Sequence, residues 1–131
     1  MNKKLFYTLN MTWGIIMNVI GYICAGVLSA AGIKPERHKG LLVYRVGENW
    51  GGLNLGLVVL ASHRASEKTL NHEVGHAIQN AIYGPFHIFI VAIPSAIRYW
   101  YRTFTSPSTA YDSAWFEGQA TEWGNSLTKD W

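Results

Sequence analysis

Cysteine is nearly absent: Cys24 is the only one, and it lies inside an apolar run. An intrachain disulfide and a cysteine-built metal site are both excluded. Charge is scarce too, at 15% of residues against roughly 25% in typical soluble domains. With 49% of residues hydrophobic and 14% aromatic, the composition leans toward a membrane. No dense basic block exists, because the Lys and Arg residues behind the net charge of +3 are spread along the chain. Nucleic-acid binding is therefore unsupported, and basic residues beside apolar segments suit lipid headgroup anchors. Acids are few as well, with only Asp112, Glu117, Glu122 and Asp130 in the last third. Any carboxylate chemistry there must come from those four.

What is present begins with length: 131 residues favour one domain. After "MNKK", no charged side chain occurs from Trp13 to Ile33. At a rise of about 1.5 Å per residue that stretch matches the roughly 30 Å of a bilayer core. It predicts an N-terminal transmembrane helix within residues 1–33. A secretory signal is the competing reading, since small residues follow the apolar run, but the run is long for a signal. Gly14, Gly21 and Gly26 would let another helix approach, which makes a homo-oligomer through this helix an expectation. Basic residues flank both ends, so charge does not orient it.

Residues 41–46, "LLVYRV", and 53–60, "LNLGLVVL", are β-rich and separated by "GENWGG". They read as a short hairpin, one edge of which could receive an extended peptide as an added strand.

The next segment, "TLNHEVGHAIQN", is the most informative. Ser66 can cap a helix and Gly84-Pro85 can end it. At about 100° per residue, Leu70, Val74, Ala77, Ile78 and Ala81 gather on one face and His72, His76, Gln79 and Tyr83 on another. His72 and His76 are one turn apart, so both imidazoles can reach one ion, and Glu73 between them can act as general base on water. Zinc suits that work. Gly75 leaves room beside the metal for a substrate or a facing helix.

A third ligand is needed. "AYDSAWFEGQATEWGNSL" reads as a helix with Trp115, Phe116, Ala120, Trp123 and Leu127 on its apolar side. Glu117 has small helical neighbours, Ser113, Ala120, Thr121 and Gly124, which permit close approach to the histidine helix. Glu122 projects elsewhere and reads as a solvated charge or a hydrogen-bonding partner. The predicted metal set is His72, His76 and Glu117, with Glu73 catalytic.

"NHEVGHAIQN" followed by "WFEGQATEWGN" resembles the gluzincin-like zinc metallopeptidases, which carry two histidines on one helix and a glutamate on a second. The wider run from Asn71 to Arg102 is similar to small bacterial membrane proteins with the same motif, a Gly-Pro and an Ile-Pro-Ser segment. The resemblance implies zinc on His72, His76 and Glu117, Glu73 as base and then proton donor, and a peptide or protein substrate. It also implies residence in a bacterial cell membrane. The family often has an acid four residues after the ligand glutamate, where this chain has Thr121. Orientation of the histidines must then come from elsewhere, with Asp112 one option. Tyr111, His87 and Tyr83 are candidates for the group that steadies the oxyanion.

"PFHIFIVAIPSAIRYWYRTF" is apolar from Phe86 to Ile97 but too short for a straight span, and Pro94 would kink it. It reads as a membrane-associated segment near 86–102. His87 on it is expected to be a core or interface histidine outside the metal set. His38 and His63 have no partner spacing and read as surface residues.

The expected architecture is α+β and mainly helical. A membrane helix over 1–33 precedes a small metallopeptidase-like domain over 34–131, built from hairpin, histidine helix, kinked apolar helix and glutamate helix. Two functions compete: a membrane-associated zinc metallopeptidase, and a catalytically silent membrane protein with a structural metal or none.

Overall fold

The computed structural model describes residues 1–48, 50–105 and 114–131. Helices α1 (Lys3–Met11) and α2 (Ile15–Ala30) lead into strands β1 (Glu36–His38), β2 (Leu41–Arg45), β3 (Gly52–Leu55) and β4 (Val58–Ala61). Helix α3 (Glu67–Tyr83) then passes through a 3-10 turn, Gly84–Phe86, and a π-turn, Ile88–Ala92, into α4 (Ile93–Thr105), and α5 (Trp115–Ser126) closes the fold. The α+β, mainly helical expectation holds at this level.

The sheet runs β1-β2-β4-β3, with β2 and β4 parallel and the outer pairs antiparallel. This corrects the expected hairpin between 41–46 and 53–60. Gly56, at φ +76°, turns the second run back on itself, so β3 and β4 form their own hairpin. Asn54 fastens that turn: its Nδ2 donates to the Gly56 carbonyl at 2.9 Å and its Oδ1 accepts from the Gly56 N–H at 2.9 Å. The sheet is covered on both faces. Leu41, Val43, Val59 and Ala61 pack with Leu70, Val74 and Ile78 of α3, while Tyr44, Leu55 and Val58 pack with Met17 and Ala25 of α2. Strands buried on both sides read as unbroken apolar runs, which hides their pairing partners.

The first apolar stretch differs from expectation. It breaks between α1 and α2, whose axes bend by 88°, and the 16-residue α2 reaches only about 24 Å. No single helix among the described residues is long and apolar enough to cross a membrane. The cause is a buried amide cluster. A helix end leaves carbonyls without intrahelical partners, and here side-chain amides serve them: Asn18 Nδ2 donates to the Asn10 carbonyl at 2.7 Å, and Asn80 Nδ2 to the Gly14 carbonyl at 3.0 Å. Asn18 Oδ1 also accepts from the Leu57 N–H at 2.6 Å, tying the break to the sheet. Gly14 lies directly on Asn80 and Gly21 on Leu55, so two of the three glycines serve contacts inside the chain, whereas Gly26 faces open space.

The second apolar segment turns through 119° between Glu67–Phe86 and Ile88–Thr105. Gly84, with φ +58°, makes the sharp corner ahead of Pro85. In the π-turn the Ile93 N–H reaches the Ile88 carbonyl, and Pro94, which has no N–H, sits at the start of α4 where that lack is tolerated.

Helices α3 and α5 cross at backbone contact. A Cβ on Gly75 would overlap the Ala120 carbonyl, and one on Gly124 would overlap the Asn71 carbonyl. Gly75 thus admits a facing helix, the second of the two roles its position suggested.

Candidate metal centre

Ser66 caps α3 with its hydroxyl accepting from the Thr69 N–H at 3.4 Å, and the apolar stripe of α3 is buried as its periodicity predicts. That docking turns His72 and His76 toward α5. Close crossing at Gly75 and Gly124 brings Glu117, fully buried, up to both rings. His76 Nε2 lies 2.9 Å from Glu117 Oε1 and His72 Nε2 lies 3.7 Å from the same oxygen. One ligand atom from each of the three falls within 4.8 Å of the others, and the group could hold a metal ion.

Each group is oriented by a neighbour. His72 Nδ1 is 2.7 Å from Thr121 Oγ1, and His76 Nδ1 is 2.7 Å from Gln79 Oε1. Both rings thereby present Nε2 to the common point. Gln79 is itself held, donating to the Phe116 carbonyl at 2.8 Å and to Gln119 Oε1 at 3.1 Å. Ser95 Oγ on α4 donates to the Glu117 carboxylate, 3.3 Å from Oε1 and 3.2 Å from Oε2. Sequence reasoning did not find Ser95 or Gln79 in these roles. Thr121 stands where the acid was missed, and it does supply an orienting contact. Asp112, the option considered for that contact, lies outside the described residues, as does Tyr111.

Glu73 is buried and apart from the three-residue group, and its Oε2 has no hydrogen-bond partner among the described residues. Burial raises its carboxyl above the ordinary range, partly offset by the His76 and His72 charges. For His76, burial opposes the charged form, but the hydrogen bond the ring donates to Glu117 and the charges of Glu73 and Glu117 raise its pKa overall. Gly52 of β3 makes room for Glu73, since a Cβ there would meet its carboxyl group at 3.3 Å.

Glu73 and His76 border a cavity of about 490 Å³. Its other walls are Gly52, Leu53 and Asn54 of β3, Met17 of α2, and residues of the π-turn and α4. His87 lines it too: it is 2% exposed, and its Nδ1 has no partner among the described residues. Burial drives its pKa down to about 3, with the His76 charge adding to the effect, so the ring is neutral. His87 is therefore buried, as expected of a core or interface histidine. Tyr83 turns away from the cavity and donates to Gln119 Oε1 at 2.7 Å.

Of the remaining residues singled out, His63 and Glu122 are exposed, as read from the sequence. His38 is not a free surface residue: it sits in β1, half-buried, with Nε2 2.7 Å from Asn71 Oδ1. No family model, curated protein or solved structure matches the chain.

Proposed function

We propose that the chain is a membrane-associated, zinc-dependent metallopeptidase of the gluzincin-like arrangement. The observation that carries this reading is Glu73. A purely structural ion has no use for a buried carboxylate beside it that ligates nothing and keeps one oxygen unpartnered among the described residues, on the wall of a cavity.

The donor set of two imidazoles and one carboxylate suits zinc and leaves a coordination position open. Ligand atoms at zinc bond lengths of 2.0–2.1 Å stand about 3.3 Å apart in a tetrahedron. The His–Glu117 separations of 2.9 and 3.7 Å bracket that spacing. A bound zinc would supply Lewis acidity and make water acidic enough to react near neutral pH.

The chain's own residues do the rest. Glu73 takes the proton from the attacking water and returns it to the departing amine, a role that its burial and raised pKa favour. Of the two oxyanion candidates among the described residues, His87 lines the same cavity and Tyr83 does not. β3 is an edge strand bordering the cavity, and an extended peptide can add along it through backbone hydrogen bonds. Exposed apolar side chains support the membrane assignment: Ile16, Val19, Ile23 and Val27 on α2, and Phe89, Ile97, Tyr101 and Phe104 on the second apolar segment.

The test is peptide-library cleavage by the zinc-loaded protein and by Glu73→Gln. Wild type should cut. Glu73→Gln should keep its zinc and lose about 10²- to 10⁴-fold in rate. A zinc-loaded wild type that cuts nothing would sink the proposal.

A further inference from the structure

Helix α4 has two faces with different surroundings. Val91, Ala92, Ser95, Ala96 and Tyr99 of the π-turn and α4 wall the cavity that Glu73 and His76 border. The stripe Phe89, Ile93, Ile97, Tyr101 and Phe104 points away and is exposed, Phe104 by 80% and Phe89 by 71%. Trp100, 60% exposed, stands where the two faces meet, at the rim. No residue of α4 itself is buried, so one helix thickness separates the cavity from the apolar outer surface.

The cavity's own chemistry is mostly apolar, with Met17, Leu53, Val91, Ala92 and Ala96 on its walls. Its 490 Å³ is within the range of sites that enclose a ligand, and exceeds what one side chain fills. Its polar groups include those of the proposed reaction centre and β3, Ser95 and Tyr99 of α4, and His87, whose Nδ1 is buried without a partner among the described residues. Such an atom is costly to leave unbonded and suits a bond to something that enters.

Resting on the hydrolase reading above, we propose that the substrate is a peptide segment bearing large apolar side chains, delivered from the bilayer against which α4 lies. The side chains flanking the scissile bond occupy the cavity between β3 and α4. The segment's backbone runs along the β3 edge, and His87 meets one of its polar groups. A free lipid would fill the apolar space but would leave the β3 edge unused.

The experiment uses the full chain in phosphatidylcholine–phosphatidylglycerol vesicles and fluorescent peptides sharing one backbone. One peptide carries Leu and Phe around the scissile bond, one carries Ser and Gln there, and each is made with and without an apolar membrane-anchoring tail. Binding is measured on Glu73→Gln and cleavage on wild type. The tailed apolar peptide should bind and be cut at least 10-fold better than either the tailed polar or the untailed apolar one. Ala96→Phe, which narrows the cavity, should remove that preference while zinc content stays at the wild-type level. Equal handling of apolar and polar peptides, or of tailed and untailed ones, overturns this inference and leaves the hydrolase reading standing. Selective binding without any cleavage by zinc-loaded wild type keeps the cavity assignment and overturns the hydrolase reading. Competition of the apolar peptide by a fatty acyl amide, with no difference between peptides, assigns the cavity to lipid and overturns the peptide.

Discussion

Replacing Gly75 by alanine should separate the two helices that make the candidate metal centre. In an exposed helix this substitution stabilises by about 1 kcal/mol, because alanine loses less backbone freedom. At Gly75 the added Cβ would overlap the Ala120 carbonyl, which is backbone and cannot rotate aside. Helix α5 must then retreat by on the order of 1 Å to restore an ordinary carbon–oxygen contact. Overpacking of this kind costs about 1–3 kcal/mol, and the upper end applies where backbone meets backbone. The net loss is about 2 kcal/mol, or about 8 °C of melting temperature for a chain of this size. Glu117 lies one turn before Ala120 on α5, and metal ligands tolerate displacements of only about 0.2 Å. Zinc affinity should therefore fall further than stability does. Thermal melts and zinc titrations in micelles measure both. Gly26→Ala is the control: it faces open space in α2 and should raise stability by about 1 kcal/mol without touching zinc binding. If Gly75→Ala melts like Gly26→Ala and binds zinc as wild type does, the close crossing of α3 and α5 is refuted.

Thr121→Val removes the hydroxyl that meets His72 Nδ1, and should weaken zinc by about 10- to 100-fold in a competitive chelator titration, with little change in melting temperature. Asn18→Leu strands the Leu57 N–H and the Asn10 carbonyl, while the Gly14 carbonyl keeps its bond from Asn80. Denaturant unfolding should show a loss of about 3 kcal/mol, since unsatisfied buried groups cost about 1–3 kcal/mol each. Ser95→Ala removes a donor to Glu117, and zinc titration should show weaker binding in the same direction as Thr121→Val and by no more than about 10-fold.

The parts of this protein that could be read from the sequence are those set by local rules. Helix α3 announces itself by a cap, a stop signal and an apolar stripe, so the placement of His72 and His76 opposite that stripe follows from helical geometry. Small residues around Glu117 similarly point to a close crossing, which Gly75 and Gly124 then deliver. Tertiary chemistry hid the rest. Asn10 and Asn18 are two neutral polar residues in an apolar stretch, and nothing nearby in sequence shows that Asn80 completes a cluster that bends α1 against α2. Strand pairing is hidden because an apolar run covered on both faces carries no alternation to choose its partner, and Gly56 sits in that run directly between two leucines. In the sequence Thr121 shows only as a missing acid. A hydroxyl can orient an imidazole as well, but it carries no charge pattern by which to notice it.

The most direct test of the whole account is the metal content of the protein purified from cells, with X-ray absorption at the bound metal's edge. The account predicts one zinc per chain, with nitrogen and oxygen neighbours at about 2.0–2.2 Å and no sulfur, and loss of that zinc in both His76→Ala and Glu117→Ala. A folded wild-type chain without stoichiometric zinc, or one whose metal survives both substitutions, would contradict it.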